Sequence, residues 1–101
     1  MNKVDELHTL LDLSRRPYQS AKARFKRTIH HSDAWDIADA AEQMAYRYNA
    51  LAAHYREVPQ AKALGTRYSN LAKGKLDEAI QHYELSTKLF QEREVWQDDS
   101  N

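Results

Sequence analysis

Between Ser32 and Val58 the side chains of Ile37, Ala41, Met44, Tyr48, Leu51, Tyr55 and Val58 recur at alternating steps of four and three. A strand needs a period of two. Only a helix that keeps one seam turned to a partner sustains this spacing over three heptads. At 1.5 Å per residue such a helix is a rod of roughly 37 Å. Around the cylinder from the seam, Ala38, Ala45 and Ala52 form a stripe of small side chains at seven-residue steps. That stripe lets a neighbouring backbone approach closely. Ser32 suits the N-cap, and Asp33 and Asp36 suit the positive end of the helix dipole.

The other segments read as helices packed around this rod. Residues 2–13 place Val4, Leu7, Leu10 and Leu11 on one face of a short amphipathic helix, with Asn2 as its cap. Pro17 pushes Arg16 out of helical geometry, so Arg15-Arg16-Pro17 is expected to end that helix and start the next. Tyr18, Ala21, Phe25 and Ile29 give the second helix its face, and His30-His31-Ser32 connects it to the rod. The rod ends near Glu57-Val58, and Pro59 starts a successor whose inner face is Ala61, Leu64, Tyr68 and Leu71. So short a link favours an antiparallel neighbour. Gly74 is the next expected break, since glycine is preferred just past a helix end. Beyond it Leu76, Ala79, Ile80, Tyr83, Thr87 and Phe90 form a core stripe, while Leu85, Leu89 and Trp96 lie on a different side.

The expected architecture is an all-α antiparallel bundle of four or five helices with a long central helix. It is a single helical domain over residues 1–96, with a frayed polar tail at 97–101. The expected core is Ile37, Met44, Tyr48, Leu51, Tyr55, Leu64, Tyr68, Leu71, Ile80, Tyr83 and Phe90.

Composition narrows the chemistry. The 101 residues contain no cysteine, which excludes disulfides, thiolate catalysis and cysteine-ligated metal sites. A reducing cytoplasm is the simpler home. Fifteen basic and fifteen acidic residues cancel, so the whole molecule exerts no long-range pull on nucleic acid or membrane. No segment reaches the roughly 18 apolar residues of a membrane span. There is no glycine-rich phosphate loop, no Gly-x-Ser-x-Gly elbow and no pair of histidines at i and i+4. The expectation is a protein that is not an enzyme and uses no cofactor or metal.

Residues 64–89 resemble a tetratricopeptide repeat through Leu64-Gly65, Tyr68, Gly74-Lys75-Leu76-Asp77-Glu78-Ala79-Ile80, Tyr83 and Leu89. The interval from Tyr68 to Gly74 is longer than that family's, and no proline closes the unit. The resemblance implies a helical hairpin with a peptide- or protein-binding surface and no catalysis.

Two constellations remain as candidate sites. Trp35 and Tyr46 lie opposite the main seam of the rod, and Leu85, Leu89 and Trp96 lie off the core stripe of the last helix. Apolar faces in excess of one core point to a protein partner or to a homo-oligomer. Arg15, Arg16, Lys22, Arg24, Lys26 and Arg27 form a basic cluster without an acid among them. Such a cluster meets phosphates, an acidic protein surface, or acids of its own chain such as Asp33, Asp36 and Asp39. The leading expectation is a small cytoplasmic adaptor or inhibitor that acts through apolar helix faces, as a homodimer in one version. The alternatives are a nucleic-acid-associated regulator using the basic helix, and an immunity or anti-defence inhibitor.

Overall fold

The computed structural model describes the backbone of residues 2–99 and the side chains of residues 2–93. Trp96 and the tail at 97–101 lie outside the described side chains. Among the described residues there are three helices: α1 (Lys3–Thr28), α2 (His31–Arg56) and α3 (Lys62–Asp99), with a 3-10 turn at Pro59–Ala61 leading into α3. The fold is all-α, but the count of four or five helices is corrected to three. Both expected breaks, at Pro17 and at Gly74, fall inside continuous helices.

The reason is phase. A proline in a helix interior removes one hydrogen bond and crowds the carbonyl four residues back, at a cost of about 3 kcal/mol. Here that carbonyl belongs to Leu13, an exposed residue, where water can take the freed acceptor. Against that cost, Val4, Leu7, Leu11, Ser14, Tyr18, Ala21 and Phe25 form one run of buried or half-buried side chains straight through the proline. A break would turn the second half of α1 away from α2. Gly74 is exposed, with nothing within 4 Å of where a Cβ would stand. It costs α3 only about 1 kcal/mol. Gly65, Tyr68, Ala72, Lys75, Ala79, His82, Ser86 and Leu89 keep their inward phase on both sides of it. The stretch from 64 to 89 therefore runs without a turn.

The ends are set locally. The Asn2 side chain accepts from the Asp5 N–H at 2.9 Å, as a cap should. His30, one residue before α2, caps that helix in place of Ser32; its Nδ1 lies 3.2 Å from the Ser32 N–H. Between α1 and α2 the chain reverses at Ile29, which adopts the left-handed conformation (φ 47°) and donates its N–H to the Phe25 carbonyl at 2.8 Å.

α2 is the centre of the molecule, with α1 along one side and α3 along another. Its seam is the core: Ile37, Met44, Tyr48 and Leu51 are buried, joined by Leu11 of α1 and Ala72 of α3. The stripe of Ala38, Ala45 and Ala52 receives α3, and α3 answers with Gly65, Ala72, Ala79 and Ser86, also seven residues apart and all buried. A Cβ on Gly65 would stand 3.3 Å from the Ala52 carbonyl oxygen, and at the other end Ser86 Oγ donates to the His31 carbonyl at 2.7 Å. These two contacts align the antiparallel pair along its length. By contrast, among the described residues the backbones of α1 and α3 make no close approach. Those two helices meet through long side chains. Tyr18 Oη donates to Glu78 at 2.5 Å, Lys75 Nζ sits 3.7 Å above the Tyr18 ring, and the Phe25 and His82 rings pack edge to face. The result is a slender body of 64 × 22 × 16 Å.

The close α2–α3 contact overturns part of the expected core. Leu64, Leu71, Ile80 and Phe90 are exposed, and Tyr55, Tyr68 and Tyr83 are only partly buried. Small side chains allow the shortest separation between the helices, so they take the contact line and turn the larger stripes of α3 to its flanks.

Candidate protein-binding face

On the side of the α2–α3 pair that carries Trp35, α3 presents Leu76, Ile80, Tyr83, Thr87 and Phe90 at steps of four, three, four and three. α2 adds Trp35 and Tyr46. The Trp35 and Tyr83 rings meet edge to face at 4.5 Å, and Phe90 packs edge to face on His31 at 5.1 Å. Trp35 and Tyr46 are 53% and 54% exposed, and Leu76, Ile80 and Phe90 are 42%, 50% and 45% exposed. Each has one side packed and one side open. Near Trp35 the face dips into a shallow depression lined by His31, Ser32, Trp35, Asp36, Thr87 and Phe90.

Glu42 holds the aromatic part of this face in place. Tyr46 Oη donates to one carboxylate oxygen at 2.7 Å and Tyr83 Oη to the other at 2.9 Å. The bond from Tyr46, then that from Tyr83, lowers the Glu42 pKa against its partial desolvation. Burial and the Glu42 bond push the Tyr83 phenol up to about 12. Asp39 is close enough to add to that shift, which places its charge at the edge of the same face. Two phenols satisfied by one carboxylate keep their rings fixed and leave the apolar faces outward.

The other singled-out residues lie elsewhere. Leu85 and Leu89 are half-buried on another side of α3, so the structure does not bring them together with Trp35 and Tyr46. Trp96 is outside the described side chains. The basic cluster is divided. Arg24 bridges Asp33 at 3.2 Å and Asp36 at 3.4 Å, Arg15 pairs with Asp12 at 2.6 Å, and Lys22 reaches Tyr18 Oη at 3.2 Å and Glu78 at 3.8 Å. The Thr28 hydroxyl outweighs burial and, with Arg24, lowers the Asp33 pKa. Burial alone would raise the Glu78 pKa, but Tyr18, Lys75 and Lys22 together lower it. Among the described residues Arg16, Lys26 and Arg27 have no carboxylate within 4 Å. Among the same residues no group of three or more His, Asp or Glu side chains could hold a metal ion, and no helix is long and apolar enough to cross a membrane.

Leu76, Ile80 and Phe90 belong to this face although their spacing assigns them equally well to a core. The signal that separates the two stripes of α3 is the small-residue run Gly65, Ala72, Ala79 and Ser86. It matches the alanine stripe of α2 and marks the side that must face inward. No known protein family, characterised protein or solved structure matches the chain.

Proposed function

We propose that this protein is a small cytoplasmic binding protein, of adaptor or inhibitor type, that acts by laying its Trp35/Ile80 face against a helix of a protein partner. The observation that carries this reading is the heptad run Leu76, Ile80, Tyr83, Thr87, Phe90, which has the spacing of a helix-packing seam; α2 borders it through Trp35 and His31, and among the described residues no further helix packs over it. Residues at such spacing anchor an amphipathic helix, and fixed aromatics lose little freedom on binding. No catalysis, cofactor or metal enters this reading. The basic helix offers a smaller footprint, because Arg15, Lys22 and Arg24 are already engaged by carboxylates of the same molecule.

The test is affinity capture from the native host with the wild-type protein and single variants, scored against the same captured species. Ile80→Glu and Trp35→Ala are expected to lose it, whereas Arg16→Ala and Lys26→Ala retain it. Retention by Ile80→Glu with loss in the arginine and lysine variants would move the working surface to α1.

A further inference from the structure

We infer that the occupant of this face is a second copy of the same chain, with α3 packed antiparallel against α3 of its partner about a two-fold axis at Tyr83. The inference rests on the proposed protein-binding face and names what covers it. With Tyr83 on the axis, the heptad run closes on itself. Leu76 of one copy meets Phe90 of the other, Ile80 meets Thr87, and the seam runs about 21 Å. Trp35 meets Tyr83 edge to face and therefore reaches the axis from both copies.

Charge selects the antiparallel arrangement. On the outer flank of the run stand Lys73, Asp77, Glu84, Lys88 and Gln91, all exposed. A parallel pair would set each of these beside its own copy. The antiparallel pair sets Asp77 beside Lys88 of the second copy twice over, and Lys73 beside Gln91. Flanking ion pairs of this kind fix orientation more than they add affinity. The unfavourable element is Glu84, which meets its own copy near the axis, with Lys88 one turn away as partial compensation. The molecule's zero formal net charge opposes no approach between copies.

The length of α3 supports the same geometry. Past Ser86, which donates to the carbonyl of His31 at the start of α2, α3 still packs Phe90 on the His31 ring and sets Arg93 Nη1 2.7 Å from His30 Nε2, and it then continues to Asp99. The turns after Arg93 extend past His31, the first residue of α2. In the antiparallel pair they lie along residues 67–72 of the second copy.

Sedimentation equilibrium over a range of concentrations decides the matter, with circular dichroism as the control for folding. The wild-type protein is expected to be a dimer and Ile80→Glu a monomer of unchanged helicity. Asp77→Lys and Lys88→Asp, both at exposed positions, are each expected to weaken the dimer about tenfold, and the double exchange to restore it. Glu84→Gln is expected to tighten it. A protein monomeric throughout, a dimer that survives Ile80→Glu, or a double exchange that stays weak overturns the inference. A monomer that still captures a host protein through Ile80 leaves the binding reading standing and removes only the second copy.

Discussion

Tyr83 joins two roles in one side chain, since its ring supports Trp35 while its hydroxyl is tied to Glu42. The phenol ionises at about 12 in the folded protein against 10.0 ordinarily. Because the folded value is the higher one, this contribution to stability is complete below pH 10 and is lost as pH rises from 10 towards 12. Tyrosinate absorbance should show late ionisation from Tyr83 and, through the same carboxylate, from Tyr46; Tyr83→Phe should remove the Tyr83 part, and Glu42→Gln should move both down. No late step, or one unmoved by Glu42→Gln, would mean the phenol is not tied to that carboxylate. Ile29 is the second residue with a measurable consequence. A β-branched side chain in the left-handed region is strained, while Asn tolerates it. Ile29 is exposed, so Ile29→Asn gives up little burial and should raise stability to urea by about 1 kcal/mol. Nothing in His30-His31-Ser32 announced this geometry, because the strain is imposed by the reversal between two packed helices.

At the level of the helices, the two glycines of α3 make opposite cases. Gly65 lies against the backbone of α2, and its absent side chain is what permits the approach. Gly65→Leu should destabilise the protein by about 1–3 kcal/mol, as overpacking does. Gly74 faces open space, and Gly74→Ala should stabilise by about 0.5–1 kcal/mol through the helix preference alone. Urea titration of the two variants checks both signs together. The seam of α2 was legible from its spacing, because a single helix with one long apolar phase has one way to turn. α1 and α3 were not, for a reason visible in Pro17 and Gly74. Local rules place a break at each, and both are overridden when the apolar phase continues across. For α3 a second difficulty arose. It carries two stripes, and the larger one, with Ile80 and Phe90, lies outside while Gly65, Ala72, Ala79 and Ser86 lie within. Hydrophobic size ranks burial in a single helix face, but closeness of approach decides it between two helices.

The whole molecule is long and thin, 64 Å by 22 Å by 16 Å, and one layer of helices cannot bury every apolar stripe that three amphipathic helices carry. That shape accounts for the face at Trp35 and Ile80. It also accounts for the parts of the candidate site that sequence spacing located: Trp35 and Tyr46 lay opposite a seam that had to be inside, so they had to be outside. The stripes that join α2 to α3 carry one more consequence. Both repeat every seven residues, so a slip of one heptad, about 10.5 Å, would present nearly the same bumps to the same hollows. Steric fit along Ala38, Ala45 and Ala52 is thus close to degenerate, like the teeth of a ratchet. The alignment must be chosen by groups that occur once, the Ser86 hydroxyl on the His31 carbonyl and Tyr83 on Glu42. With Ser86→Ala and Glu42→Ala combined in the Ile80→Glu protein, which is expected to be monomeric, small-angle scattering should reveal a second population of different length. A single unchanged length would show that the aromatic stack of Tyr48, Tyr55 and Tyr68 holds the notch by itself.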